Sequence, residues 1–461
     1  MEKKISWSKY DDKAKKEVFS FNDEYKEFLS TCKTERECAD FILEKAKKDG
    51  FVDINSVSTF KPGDKVYTIN QNRLLVLFKI GKDDIANGMN IVGAHTDAPR
   101  LDLKQNPLYE DDASKTALFK THYYGGIKKY QWVTTPLAIH GVVYKTNGEE
   151  IKVSIGEKED DPIFGISDLL IHLSKDQMQK KLAEGITGEG LNVFIGSIPL
   201  EEDDDKSSTK KNILNILKEK YNIEEDDFVS AELEIVPAGK ARDYGLDRSF
   251  VAGYAHDDRV CSYTMFRALM DADAVDKTCV AIFADKEEVG SMGATGMRSK
   301  FFENACAKIQ KGMNEKVYDS IMLRDSLENS AMLSADVNVG FDPNFPDVTA
   351  KYNTAYLGKG AAFAKYTGSR GKGGSSDADP KFIAKLRKLL DDADISYQTA
   401  ELGKVDQGGG GTIAYILAEY GMDVIDCGVA VHSMHAPMEL VSKADVYETY
   451  RCYKEFYKNY K

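Results

Sequence analysis

The stretch CVAIFADKEEVGS, residues 279–291, decides the reading of the fold. Its first six residues are continuously apolar, the pattern of a strand buried on both faces of a sheet. The run then breaks off into Glu287, Glu288 and a Val-Gly-Ser turn. Carboxylates at the tip of such a strand are costly to desolvate unless something pairs with them, and a metal ion is the simplest partner. Two adjacent glutamates are elsewhere usually solvated surface. The apolar strand in front of them argues against that here.

Outward from this stretch, apolar strands alternate with helical patterns. After residue 250 the order is helix RVCSYTMFRALMDA, strand TCVAIFA, helix MRSKFFENACAKIQKG, strand SAMLSADV, helix DPKFIAKLRKLLDDA, strand ISYQTA, helix GTIAYILAEYG, strand MDVIDCGVA and helix KADVYETYRCYKEFYKNY. Before residue 100, amphipathic helical runs closing on Gly50 lead into strands RLLVLFKI (73–80) and MNIVGAH (89–95). This alternation predicts an α/β fold, a mixed-sheet α/β/α domain. Between about 100 and 245 the texture changes. TPLAIHGVVYKTNGEEIKVSIG reads as a hairpin turning at TNGE, and acidic loops follow at 157–161, 201–211 and 223–227. The expected organisation is a catalytic domain of residues 1–98 and 247–461, interrupted by a smaller β-rich insertion, 99–246.

The bulk properties bound the function. At 461 residues the chain exceeds one compact core. A net charge of -13, from 62 basic and 75 acidic residues, argues against nucleic acid or an anionic membrane as partner. No apolar run approaches the ~18 residues of a membrane span, and the charged N-terminal stretch lacks a signal-peptide core. Seven scattered cysteines, with no CxxC pair, fit a reduced cytoplasmic protein.

Four further clusters accompany the glutamates. His95 and Asp97 in IVGAHTDAPRL are two apart, so on a strand they face one way; a carboxylate beside a histidine ligand is a common metal arrangement, and a buried histidine with an ordinary hydrogen bond is the alternative. Asp257 and Asp258 in YAHDDRVCSY precede a helix, where an aspartate can cap the helix or bridge two cations. Asp336 ends the apolar strand MLSAD. His432 and His435 follow the apolar run CGVAV. Each cluster alone is weak, but five at predicted strand ends in one α/β region form a site, because ligands bind open α/β sheets at carboxyl strand ends. Nitrogen and oxygen donors without thiolate suit Zn2+, with Mn2+ or Co2+ as competitors.

Taken together, GAHTDAPRL, DDR, EEVGS, SAD and MHAPME resemble the signatures of the aspartyl aminopeptidase and vacuolar aminopeptidase I family of dinuclear zinc exopeptidases, over nearly the whole chain. The resemblance implies that His95 and Asp336 ligate one metal, Glu288 and His435 the second, and Asp257 bridges both. Glu287 would be the general base and Asp97 would orient His95. The H-x-x-x-E spacing to Glu439 favours His435 over His432, while the register between Asp257 and Asp258 stays open. Lys365, Arg370 or Lys372, in AKYTGSRGKGGSSDA, would approach the peptide. Gly410 lies in DQGGGGTIA, read as opening a helix whose free N–H groups could hold an anion; a linker is the alternative.

The expected activity is removal of N-terminal residues from peptides by water activated between two divalent metal ions, with neutral or broad specificity favoured over acidic. Two other readings remain: a metal-dependent N-acyl amidohydrolase or carboxypeptidase, and a non-catalytic binding relative. The resemblance also implies a homo-oligomer, a tetrahedral dodecamer, with the β-rich insertion building contacts between chains.

Overall fold

The computed structural model describes residues 5–200, 207–313 and 319–461. Residues 201–206 of the expected acidic loop 201–211 lie outside the described residues. The chain divides into two compact units: residues 1–97, 241–434 and 439–461 form the first, and residues 98–240 with 435–438 the second. Residues 241–246 group with the first unit, where the strand Arg242–Tyr244 pairs antiparallel with Phe250–Gly253.

The first unit is built on a nine-stranded mixed sheet. In spatial order its strands are Val52–Asp53, Lys65–Asn70, Leu74–Lys79, Thr278–Ala284, Met89–His95, Ala331–Ser334, Asp423–Gly428, Ala361–Ala364 and Tyr397–Thr399. The central four, Thr278–Ala284, Met89–His95, Ala331–Ser334 and Asp423–Gly428, run parallel, so their carboxyl ends share one edge. In that register Ala284 sits opposite His95 and Ser334 opposite Gly93. The sequence segments that follow these strands therefore start side by side.

Every residue of Thr278–Ala284 is buried, because both sheet faces are covered. Cys279, Ala281 and Phe283 join one core with Leu75, Leu77 and Val92. The helices Asp12–Thr31, Glu35–Lys48, His256–Met270, Pro380–Asp392 and Lys443–Asn459 contribute to this core. Val280, Ile282 and Ala284 join the other, with Val76, Phe78, Ile91 and side chains of Phe301–Met313 and Ser320–Glu328. The period-two alternation of the strand thus assigns its side chains to the two helical layers of an α/β/α sandwich. A five-stranded sheet, Arg242–Tyr244, Phe250–Gly253, Glu439–Ser442, Ala430–His432 and Asn338–Val339, completes this unit.

The second unit carries a six-stranded antiparallel sheet in the order Glu150–Ile155, Leu137–Tyr144, Ala231–Pro237, Arg100–Glu110, Ala117–Tyr124 and Val193–Gly196. The hairpin expected around TNGE is the Leu137–Tyr144 and Glu150–Ile155 pair, with Gly148 at φ 88 in the turn. The reading of GTIAYILAEYG as a full helix needs correction. Only Ala414–Ala418 is helical, so no helix opens on the glycine run and Gly410 has no helix N-terminus to offer. Its carbonyl instead accepts from Gly368 N–H at 2.7 Å, tying two loops together.

Candidate metal centre

His95 is the last residue of its strand and is buried, and Asp97 lies beyond the strand rather than on it. The two still converge: His95 Nδ1 is 3.0 Å from the Asp97 carbonyl and 3.3 Å from its Oδ1. Asp97 also accepts the backbone N–H groups of Glu287, at 3.1 Å, and Glu288, at 3.2 Å. One buried carboxylate therefore sets the histidine ring and the glutamate turn together. A carboxylate that fixes the far nitrogen of an imidazole is the usual support for a metal-ligating histidine.

The glutamates do not lie on the strand tip itself. Asp285 and Lys286 intervene, Lys286 takes a left-handed conformation (φ 69), and Glu287–Val289 form a single 3-10 turn. Both glutamates are half-buried, and the buried acid of this stretch is Asp285. Burial and the nearby Glu35 and Asp97 push its carboxyl up to about 6. It accepts from Thr295 Oγ1 and Lys286 N–H and lies 3.6 Å from Arg73 Nε. The desolvation cost assigned to the glutamates thus falls on Asp285, which protein groups satisfy.

On the other side of His95, Nε2 faces Asp257 Oδ1 at 3.3 Å and Glu287 Oε2 at 3.9 Å. Asp257 and Asp258 fall before the regular helix: Asp257 has φ -78 and ψ 107, and Asp258 φ -116 and ψ 30. The peptide bond between them is cis. Their neighbours hold this irregular segment. Asp257 N–H donates to Glu439 Oε2 at 2.9 Å. His256 is locked between Tyr25 Oη, 2.6 Å from Nδ1, and the Val251 carbonyl, 3.1 Å from Nε2. Burial lowers His256 to about 3, so it is neutral, with Nδ1 accepting and Nε2–H donating. Arg259, fully buried, donates to the carbonyls of Thr96, Cys32 and Lys33.

Two groups of ligand-type atoms, each within 4.8 Å of one another, share His95: His95 with Asp257 and Glu288, and His95 with Asp258 and Asp336. Asp336 follows the strand Ala331–Ser334, whose next residue, Ala335, donates to the Gly93 carbonyl at 2.7 Å. His435 belongs to neither group. It sits in the 435–438 segment of the second unit, with Nδ1 2.7 Å from the Gly126 carbonyl. His432 Nε2 lies 3.0 Å from the Phe341 carbonyl. Lys365, Arg370 and Lys372 are exposed; Lys372 pairs with Asp377 at 3.0 Å and covers the Tyr366 ring. The holding roles of Glu439, Arg259 and Tyr25 were not read from sequence. Arg259 completes the DDR match and Glu439 the H-x-x-x-E spacing, so both positions carried a signal without a role.

The donor set fits a divalent cation. Burial pushes Asp258 well above the usual carboxylate range, outweighing the lowering by His95, and the neighbouring Asp257 adds a lesser upward push. Both of its oxygens are buried. Burial and the neighbouring Asp258 likewise push Asp336 well up. Burial alone would lower His95, but its hydrogen bonds to Asp257 and Asp97 raise it well above the ordinary imidazole range. These are the shifts of carboxylates crowded around an imidazole in a buried site, an environment that a divalent cation would neutralise. Imidazole and carboxylate donors without thiolate suit Zn2+, Mn2+ or Co2+.

An imidazole and acid cluster at the carboxyl edge of parallel strands suits a metal-dependent hydrolase. Comparison with known proteins narrows the class. Residues 28–457 match the profile of the family described as aminopeptidase I zinc metalloprotease (M18). A Clostridium acetobutylicum relative named "probable M18 family aminopeptidase 1" is 58% identical over 462 residues, covering 99% of this chain and 98% of its own. The crystal structure of an M18 aminopeptidase from Thermotoga maritima superposes with a TM-score of 0.95 at 44% identity, covering 99% of each chain. That of aminopeptidase I from C. acetobutylicum gives 0.93 at 56%, covering 100% of each. The chain belongs to the M18 family of zinc metallo-aminopeptidases, and its activity is metal-dependent aminopeptidase hydrolysis.

The raised values of His95, Asp258 and Asp336 carry a signed consequence. Each holds a proton to higher pH than its free counterpart, and a ligand must lose its proton to bind metal. Zinc binding to the metal-stripped protein at pH 7 should release protons, and affinity should climb with pH. Calorimetric titrations in two buffers of different ionisation enthalpy should give different apparent heats. Equal heats and a pH-independent affinity would contradict this account of the cluster.

Proposed function

We propose that this aminopeptidase uses two divalent ions held beside His95 at the carboxyl edge of the parallel strands. The resemblance implies that His95 and Asp336 would hold one ion, Glu288 and His435 would hold the other, and Asp257 would serve both. The gathering of Asp257, Glu288, Asp258 and Asp336 around His95 supports a metal centre here. Asp258, which shares the second group, is the alternative to Asp257. When bound, the ions polarise the scissile carbonyl and lower the pKa of a nearby water toward ~7.

The chain's residues do the rest. Asp97 keeps the His95 ring oriented and the Glu287 turn beside it, supported by its contacts to both. Glu287 takes the proton from the attacking water and returns it to the leaving amine. Its Oε2, 3.9 Å from His95 Nε2, lies close to the cluster yet outside both ligand groups, which suits a base better than a ligand. The acids around His95 receive the substrate's free α-ammonium, which restricts cleavage to the N-terminal residue. Glu287→Gln should retain the metal complement of the unaltered protein and lose on the order of 10²–10⁴ in turnover. Elemental analysis beside the rate separates this from metal loss; near-normal turnover would remove Glu287 from the role.

The specificity is neutral or broad. Lys372 is neutralised by Asp377, and Lys365 and Arg370 are exposed, which supports no dedicated cationic pocket. Leucyl anilide should be cleaved faster than aspartyl anilide, and the reverse order would establish acidic specificity.

The protein works as a homo-oligomer in the cytoplasm. In the second unit Ile163, Leu170, Ile171, Leu173, Met178 and Leu182 are each more than half exposed, an apolar run that a partner copy would cover. A solved dodecamer of Saccharomyces cerevisiae mApe1 shares the fold, at a TM-score of 0.76 and 22% identity. Light scattering should give a multiple of the 51.3 kDa chain mass, twelvefold for the dodecamer, and a monomeric mass would refute assembly.

A further inference from the structure

Asp257 presents a backbone problem that its own segment cannot solve. It lies at the amino end of a helix, where N–H groups have no intrahelical acceptor. Its own φ and ψ are not helical, and Ala255, two residues earlier, is left-handed at φ 63. A buried N–H without an acceptor carries a desolvation penalty and leaves the residue free to rotate. No capping side chain of Ala255 or His256 answers it: Ala255 has none, and the His256 ring is already engaged by Tyr25 and Val251. The acceptor comes from a strand 182 residues away, as Glu439 Oε2 at 2.9 Å.

Glu439 is well placed to act on Asp257 through the backbone. It is the first residue of the strand Glu439–Ser442, which pairs antiparallel with Phe250–Gly253, and Gly253 is its register partner. The side chain is 1% exposed, so its charge is not held there for solubility. It belongs to neither ligand group around His95. The Asp257 carboxylate faces His95 Nε2 at 3.3 Å. A rotation of the 256–257 peptide would swing it away.

We propose that Glu439 is a positioning residue: by accepting the Asp257 N–H it fixes the direction of the Asp257 carboxylate toward His95, and so sets metal affinity without ligating metal. The inference rests on the reading above that Asp257 ligates metal. A carboxylate is a stronger acceptor for this N–H than a neutral group, but the position needs an acceptor, not a charge. An amide oxygen of the same reach satisfies it.

The test compares Glu439→Gln with two variants that delete the acceptor, Glu439→Met, which keeps volume, and Glu439→Ala; whichever of these two folds is read. Zinc affinity is measured by competition with a chelator of known affinity, alongside the unfolding midpoint of the metal-free proteins. Glu439→Gln should bind zinc within about threefold of the unaltered protein. The acceptor-deleting variant should lose 10–100-fold, the range for removing a residue that supports a metal ligand. A purely structural role would lower the metal-free unfolding midpoint and leave zinc affinity unchanged, and that result overturns the proposal. Equal losses in Gln and Met or Ala also overturn it, because the charge itself would then act on the metal. Asp257→Asn run in parallel separates the two levels. If it keeps full zinc affinity, the assignment of Asp257 as ligand fails; if it loses zinc while Glu439→Met does not, only the positioning role fails.

Discussion

Negative charge gathered at the carboxyl edge of the central parallel strands, around a single imidazole, is the constraint on which the rest of this structure depends. Asp97, Asp257 and Glu287 lie within 3.3, 3.3 and 3.9 Å of the His95 ring nitrogens, and Asp258 and Asp336 join a second group on the same ring. Such a cluster is stable only if protons or a cation neutralise it. The upward shifts of His95, Asp258 and Asp336 favour protons in that role when metal is removed. A divalent ion takes that role in a working enzyme. The fold supplies the juxtaposition through three adjacent parallel strands in register, ending at His95, Ala284 and Ser334.

The surrounding polar network separates holding from reacting. Asp97 couples the imidazole to the backbone of the glutamate turn, Glu439 anchors Asp257, and Arg259 anchors the Thr96 carbonyl between His95 and Asp97. Asp285, the most deeply buried acid of the opening stretch, is satisfied by Thr295 and backbone. Buried charges that grip main chain are suited to this work, because a charged group makes stronger hydrogen bonds than a neutral one.

Much of this was legible in the sequence because strand burial leaves a pattern. Continuous apolar runs at 279–284 and 331–333 located central strands, and the acids that follow them mark the carboxyl edge. The β-rich middle was legible from TNGE and its flanking alternation. What sequence could not give was long-range hydrogen bonding. Nothing local says that Glu439 will accept from Asp257, or that Asp97 will cap the turn at Glu287. It also misjudged the glycine run: GTIAYILAEYG has helical periodicity, but four glycines delay the helix until Ala414. The alternative of Asp257 and Asp258 as helix caps gives way for a related reason: their dihedrals are irregular, His256 beside them is held from Tyr25 and Val251, and Asp257 N–H is held from Glu439.

The central claim is that the cluster on His95 is a divalent-metal centre. Diffraction from crystals of the zinc-loaded protein, collected on both sides of the zinc absorption edge, tests it most directly. The account predicts anomalous peaks within coordination distance of His95 Nε2 and the carboxylates of Asp257, Glu288 and Asp336. Zinc bound elsewhere on the chain, with no peak at His95, would contradict it.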